Sequence, residues 1–292
     1  MSFLMQNLSF AFLILSSTYL FQVVISKHVA PSLITKTEFG VSLSEQALKA
    51  SKSLSVSSHN KNHKHHHGGH KGSDDFDYYV FTQLWPVSNC DTASSSDKCE
   101  IPDNVTGWLI HGLWPSNFDG SWPSYCDDGY KFNDEEISSI WGLLATYWTN
   151  LYMDETVDSF WEHEWDKHGT CAYEAKQVSS EFDYFNSTLQ LHWTYPLGDW
   201  LKDEGIFANN TKVQNAVNLQ KIISGKLGSE AILQCIYDED TKLHLINQVE
   251  ICLDLNLQPI DCDKGDVIEN CPSDGDLVYP ASVTKESKKN RS

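Results

Sequence analysis

Eight cysteines constrain this chain more than any other feature: Cys90, Cys99, Cys126, Cys171, Cys235, Cys252, Cys262 and Cys271. They follow a segment, residues 1–26, that reads as a secretory signal, nearly all apolar from Leu8 to Leu15 and closing on Val24-Ile25-Ser26 before Lys27. The rival reading of that segment is a retained anchor, since Leu8 to Ile25 is just long enough to span a bilayer. An even number of cysteines behind a signal reads as a disulfide framework, and counting leaves every pairing of the eight open. No C-x-x-C spacing occurs, so no structural zinc site is expected. The sequons at Asn104, Asn186 and Asn209 agree with passage through the secretory pathway.

The remaining organisation follows from composition. Residues 27–73 form a low-complexity leader whose second half, His59 to His70, alternates His with Lys, Asn and Gly. It lacks the apolar residues for a core and reads as a disordered linker, with metal binding by the His tract as the rival. Residues 74–284 should form the folded domain, and 285–292 a polar tail. That domain holds ten lysines and no arginine against 37 acidic residues, a formal charge of −27. Such a body repels polyanions at neutral pH, so work in an acidic compartment is expected, with acidity that serves only solubility as the rival reading.

Within the domain, Tyr78 to Trp85 is strand-like and stopped by Pro86, and Gly107 to Leu113 is a second strand stopped by Pro115. Asn133 to Trp148 should be a helix, with Asn133 and Glu136 forming a capping box and Ile137, Ile140, Trp141, Leu144 and Trp148 at helical spacing. Phe160 to His168 should be helical up to Gly169. Glu181 to Trp193 should be a helix with Phe182, Phe185 and Leu189 on one face. Ala231 to Ile236 and Leu243 to Leu253 are strand-like, and the domain should close near Val278-Tyr279-Pro280. Strands and helices that do not alternate as βαβ units argue an α+β fold.

Two segments carry the chemistry. The first is Trp108-Leu109-Ile110-His111-Gly112-Leu113-Trp114-Pro115, and the second runs from Phe160 through His163-Glu164-Trp165-Asp166-Lys167-His168 to Cys171. Histidine can take and give a proton near neutrality, and a transfer between two oxygens needs two such groups. On an α-helix Glu164, Lys167 and His168 share one face, while Trp161 and Trp165 anchor the other. A zinc-protease motif is excluded: His163-Glu164 has Lys167 where the second ligand belongs, and His168 would be rotated about 140° away. Gly112 lets a large group approach the backbone closely.

These two segments, in this order and with matching cysteines, resemble the active-site segments of the ribonuclease T2 family, and the likeness runs from about Asp75 to Pro280. The resemblance implies a central antiparallel sheet flanked by helices and four disulfides, Cys90–Cys99, Cys126–Cys171, Cys235–Cys271 and Cys252–Cys262, each adding about 2–4 kcal/mol. It implies metal-independent cleavage of single-stranded RNA, with no cofactor, through a 2′,3′-cyclic phosphate. His168 would be the base, His111 the acid, Lys167 and His163 the phosphate contacts, and Glu164 an orienting group. Lys167 should lower the pKa of His168 while Glu164 pulls it the other way. Trp114, Phe160 and Trp161 are candidate base-stacking residues. The family often has Gln immediately before the Trp of its first strand; here that residue is Leu84, and Gln83 points to the other face. DNA should stay uncut for lack of the nucleophile. A monomer without membrane attachment after signal removal is expected, outside the cell or in a lysosome or vacuole. The alternative is a catalytically silent member acting by binding or storage.

Overall fold

The structure is a computed structural model that describes residues 76–281 apart from 95–97, 154–155, 174, 176, 263–267 and 273. The signal segment, the His-rich leader and the polar tail lie outside the described residues. In chain order the strands are β1 (Tyr78–Leu84), β2 (Leu109–Ser116), β3 (Val213–Asn215), β4 (Ile232–Asp238), β5 (Leu243–Leu253), β6 (Pro259–Ile260), β7 (Ile268–Glu269) and β8 (Asp276–Val278). The helices are α1 (Pro86–Asp91), α2 (Trp141–Tyr147), α3 (Val157–Glu164), a π-helical turn (Trp165–Gly169), α4 (Thr170–Ala172), α5 (Glu181–Thr194), α6 (Leu197–Asp203) and α7 (Ala216–Leu227).

β1 is buried along its whole length because both its edges are paired, antiparallel to β2 on one side and to β5 on the other. The sheet order is β2-β1-β5-β4-β7. Its long pairs are antiparallel, as expected, and two short parallel pairings, β4 with β7 and β5 with β8, make it mixed. Alternation sends Tyr79 and Phe81 of β1 and Val249, Ile251 and Leu253 of β5 into the main core with Trp148, Trp161, Trp165, Tyr184 and Phe185. The opposite face carries Tyr78, Val80, Ile232 and Cys252 in a smaller cluster. Four disulfides staple the fold: Cys90–Cys99, Cys126–Cys171, Cys235–Cys271 and Cys252–Cys262.

Four local expectations need correction. β2 runs through Pro115 to Ser116. It is an edge strand, where a residue without an N–H costs no ladder bond. The helix expected from Asn133 begins only at Trp141, after a run of turns. No capping box forms, because the Asn133 N–H is held by the Glu181 carboxylate and the Glu136 side chain instead accepts from Tyr130. Gly169 does not end its helix; its backbone is helical (φ −61°, ψ −40°) and α4 follows directly. Finally, α6 and α7 were not anticipated. α7 carries its own punctuation: Asn215 caps it by accepting from the Asn218 N–H, and Gly228 closes it at φ 84°.

Glu181 is fully buried at the start of α5 and accepts from the Asn133 N–H. Burial pushes its carboxyl up to about 8, with Glu136, Asp134 and Asp166 adding like charge and the Asn133 bond opposing. A folded-state pKa raised this far above the ordinary 4.5 gives stability that is complete below pH 4.5 and is lost as pH rises towards 8. Glu181→Gln keeps an acceptor for Asn133 without the titration. Chemical denaturation at pH 5 and pH 8 should therefore show the wild-type chain losing about 2–4 kcal/mol more than the variant over that interval. Equal losses in the two proteins would contradict this account of Glu181.

Candidate active site

His111 reaches the site through a backbone irregularity. In the β1–β2 ladder Thr82 faces Gly112 and Gln83 faces Ile110, which leaves His111 as the extra residue of a β-bulge. Bulges re-aim a side chain that regular alternation would place elsewhere. The ring stays half-buried, and its Nδ1 meets Gln248 Oε1 at 2.6 Å.

The second segment departs from the α-helix in the same useful way. Glu164 ends α3, and the chain then widens into the π-turn, where the Thr170 N–H reaches back to the Trp165 carbonyl. Such a turn closes on the fifth residue rather than the fourth, so His168 comes back towards the side of His163 instead of facing away. His168 is therefore not turned about 140° away from His163 as an α-helix would require, and a lysine still occupies the position of the second zinc ligand. Gly169 is required here because a Cβ would collide with the Trp165 ring. The turn is clamped from outside by the Cys126–Cys171 disulfide, by the Tyr125 N–H on the Lys167 carbonyl (3.0 Å) and by the Cys126 N–H on Thr170 Oγ1 (3.2 Å).

Trp114 joins the two segments. Its Nε1 donates to Glu164 Oε2 at 2.9 Å. Its ring meets His111 edge-on at 5.0 Å and His168 at 5.5 Å between centroids. Both imidazoles thus border one indole. Gly112 makes the arrangement possible, since a Cβ there would collide with Trp114 Nε1 and Glu164 Oε2. Behind it, Trp161 Nε1 donates to the Trp148 carbonyl (2.6 Å) and Trp148 Nε1 to the His111 carbonyl (3.0 Å). Tyr184 Oη donates to the Leu113 carbonyl (3.0 Å).

Burial sets the protonation states. His168 is 7% exposed, and its Nδ1 is buried without a hydrogen-bond partner among the described residues. Burial, then the charges of Lys167, His163 and His111, push its pKa down to about 3. Glu164 offers no counterweight, contrary to expectation: burial raises its own carboxyl to about 8, against the Trp114 bond and the Lys167 charge, so it is neutral in acid. Burial also lowers His111, but there the Gln248 hydrogen bond and the Glu250 carboxylate favour the cation, against His163 and Lys167.

The structure therefore groups His111, Glu164, Lys167, His168 and Trp114, with exposed His163 within electrostatic reach of both other imidazoles. Phe160 is half-buried, 6.2 Å from the His111 ring. Trp161 must be withdrawn as a stacking residue: it is fully buried, edge-on to Trp141, with its N–H engaged, and no face is left for a base. Gln83 lies on the core face, bonded to His192 and to the Tyr195 carbonyl, while Leu84 is buried opposite it. Asn104 and Asn209 are exposed; Asn186 sits half-buried on α5, where Thr188 turns inward to the Tyr184 carbonyl.

Residues that sequence reading passed over include Gln248 and Glu250. Their signal was two polar side chains at i and i+2, flanking Val249 on a strand whose last three residues are apolar, the mark of a face turned to a polar site. Three more are Phe118, Trp122 and Tyr125, exposed aromatics on the loop after β2 that Tyr125 fastens to the π-turn. Among the described residues no three His, Cys, Asp or Glu side chains assemble as a metal-binding group.

Comparison with known proteins places the chain in a family. The sequence profile of the Ribonuclease T2 family matches residues 76–262. Ribonuclease Oy of Magallana gigas is 38% identical over 209 residues, covering 70% of this chain and 97% of that protein. Ribonuclease T2 protein rnst-2 of Caenorhabditis elegans is 35% identical over 214 residues, covering 72% of each. The crystal structure of RNase NT in complex with 5′-AMP superposes with a TM-score of 0.63 at 30% identity, covering 71% of this chain and 99% of that one. Matched in sequence over most of its described length and in fold over nearly all of a solved relative, the chain belongs to the ribonuclease T2 family.

Proposed function

We propose that this protein is an acid endoribonuclease that cleaves single-stranded RNA by intramolecular attack, without a metal ion. The observation that carries the reading is the pair of imidazoles on one indole, of which only His111 has partners, Gln248 and Glu250, that favour its cation. His168, held neutral by burial, takes the proton of the 2′-hydroxyl through Nε2, the nitrogen opposite the buried Nδ1. The 2′-oxygen bonds to phosphorus as the bond to the 5′-oxygen breaks, and His111, as imidazolium, protonates that leaving oxygen. The products are a 2′,3′-cyclic phosphate and a free 5′-hydroxyl. Lys167 and His163 offset the charge that builds on the phosphorane oxygens. Glu164, neutral in acid, keeps one oxygen on Trp114 and can donate its proton to a phosphate oxygen. Trp114 and Phe160, with exposed Trp122 and Tyr125, offer surfaces on which bases stack. The disulfide framework and the sequons support residence in the secretory pathway, a secreted or a lysosomal or vacuolar fate, after removal of residues 1–26.

His111→Ala and His168→Ala should each lower the cleavage rate by about 10²–10⁴-fold without a matching loss of stability. Digestion of a defined oligonucleotide by the wild-type chain should leave cyclic phosphate ends, and its all-deoxy counterpart should stay intact. An active double variant, or cleavage of DNA, would contradict the mechanism.

The pH dependence follows from the two imidazoles. The base becomes available as pH rises through about 3, and the acid is lost below the ordinary imidazole value of 6.5, because burial lowers His111 from there. The profile of kcat/KM should be a bell with its maximum in the acidic range. A maximum above pH 7 would reverse the assignment.

A further inference from the structure

The imidazole of His111 ends a hydrogen-bond chain that crosses the sheet. Its Nδ1 meets Gln248 Oε1 at 2.6 Å. Gln248 Nε2 donates to Gln234 Oε1 at 3.4 Å, and Gln234 Nε2 donates to Glu250 Oε1 at 2.8 Å and to Glu269 Oε2 at 3.1 Å. The chain thus passes from β2 to β5, β4 and β7, through the cross-strand pair Gln234 and Gln248. A second β-bulge helps aim it: the β4–β5 register jumps between Gln234 and Cys235, which leaves Asn247 as the extra residue beside Gln248.

The direction of this chain is not free. Carboxylates only accept, so Gln234 must turn its amino group to Glu250 and Glu269. Its carbonyl then faces Gln248, which must answer with its own amino group. That leaves the Gln248 carbonyl towards the ring, where only a proton on Nδ1 can satisfy it. Two acids, Glu250 on β5 and Glu269 on β7, therefore dictate through Gln234 and Gln248 the tautomer of a histidine on the edge strand β2. The ring nitrogen left to the substrate is Nε2.

We propose that Gln248 is a positioning residue for the reaction, fixing the proton of His111 on Nδ1 so that Nε2 faces the leaving oxygen. The inference rests on His111 being the acid of the proposed ribonuclease, and it adds the residue that orients it. A neutral amide suits the task. It holds the ring without placing a negative charge on it, so the imidazolium remains a willing donor. The groups that face His111 are Glu250 from β5, His163 from α3, and Lys167 and His168 from the π-turn. Only Glu250 among them favours the cation, and it does so from beyond the amide.

The test uses Gln248→Leu and Gln248→Glu in the full chain, read in two ways. Long-range proton–nitrogen NMR of the His111 ring, above its titration, should show Nδ1 protonated and Nε2 bare in the wild-type chain. In Gln248→Leu that preference should be lost, and kcat should fall about 10²-fold with KM little changed. In Gln248→Glu, nearly isosteric and so spared a packing change, a carboxylate replaces the amide. The His111 titration and the alkaline limb of the rate profile should both move up by about 1–2 pH units. Protonation on Nε2 in the wild-type chain overturns the proposal, as does a Gln248→Glu variant with an unmoved titration. An Nδ1 tautomer in a protein that leaves RNA intact supports the positioning role and overturns the ribonuclease reading instead.

Discussion

Indole N–H groups hold the two halves of this site together. An indole can only donate, and a buried one must find an acceptor. Here Trp148 finds the carbonyl of His111, Trp161 finds the carbonyl of Trp148, and Trp114 finds the carboxyl of Glu164. The first two tie α3 to the strand that carries one imidazole. The third ties that strand to the residue just before the turn that carries the other. Packing of such large side chains into a core tolerates little displacement, so the distance between the imidazoles is set by tryptophan geometry. The disulfide at Cys126 and Cys171 restrains the same turn from its solvent side.

Burial then does two jobs at once. It fixes the rings in place, and it moves their protonation equilibria in opposite senses for acids and bases. Glu164 and Glu181 are pushed up to about 8, while His168 is pushed down to about 3 and His192 to about 4. The raised carboxyls favour the folded chain in acid, with stability falling between about 4.5 and 8. The lowered histidines favour it above 6.5 and weaken it as pH falls towards their folded values. The molecule is balanced between these demands over the mildly acidic range. There its net negative charge is also smallest in magnitude, and a polyanionic substrate is least repelled.

Much of this was legible in the chain. Long strands with alternating or apolar runs, such as Leu243 to Leu253, and the long helix α5 agree closely with their observed bounds. The α+β class was legible too, and the two histidine segments announced themselves by composition. What was not legible depends on contacts distant in sequence. The π-turn exists because Trp165 packs on Gly169 inside a clamped loop, and an α-helical wheel drawn over Glu164 to His168 cannot show it. Asn133 and Glu136 had the spacing of a capping box, yet Glu181, 48 residues on, took the N–H that the box would have used. Trp161 looked like a stacking platform beside Phe160, but a tryptophan four residues before Trp165 on one core-facing stripe is more simply a buried anchor. Gln248 was visible only as a polar residue on a strand; its role was not, because it depends on two bulges, and a bulge shifts register without leaving a sequence mark of its own.

The account stands on two imidazoles set on either side of one scissile phosphate. The most direct measurement is a crystal structure with a dinucleotide lacking the attacking hydroxyl. The phosphate should lie over Trp114, with Nε2 of His111 towards the 5′-oxygen, His168 towards the deoxy 2′-carbon, and Lys167 on a non-bridging oxygen. A phosphate bound elsewhere, or one reached by only one of the two rings, would contradict the account.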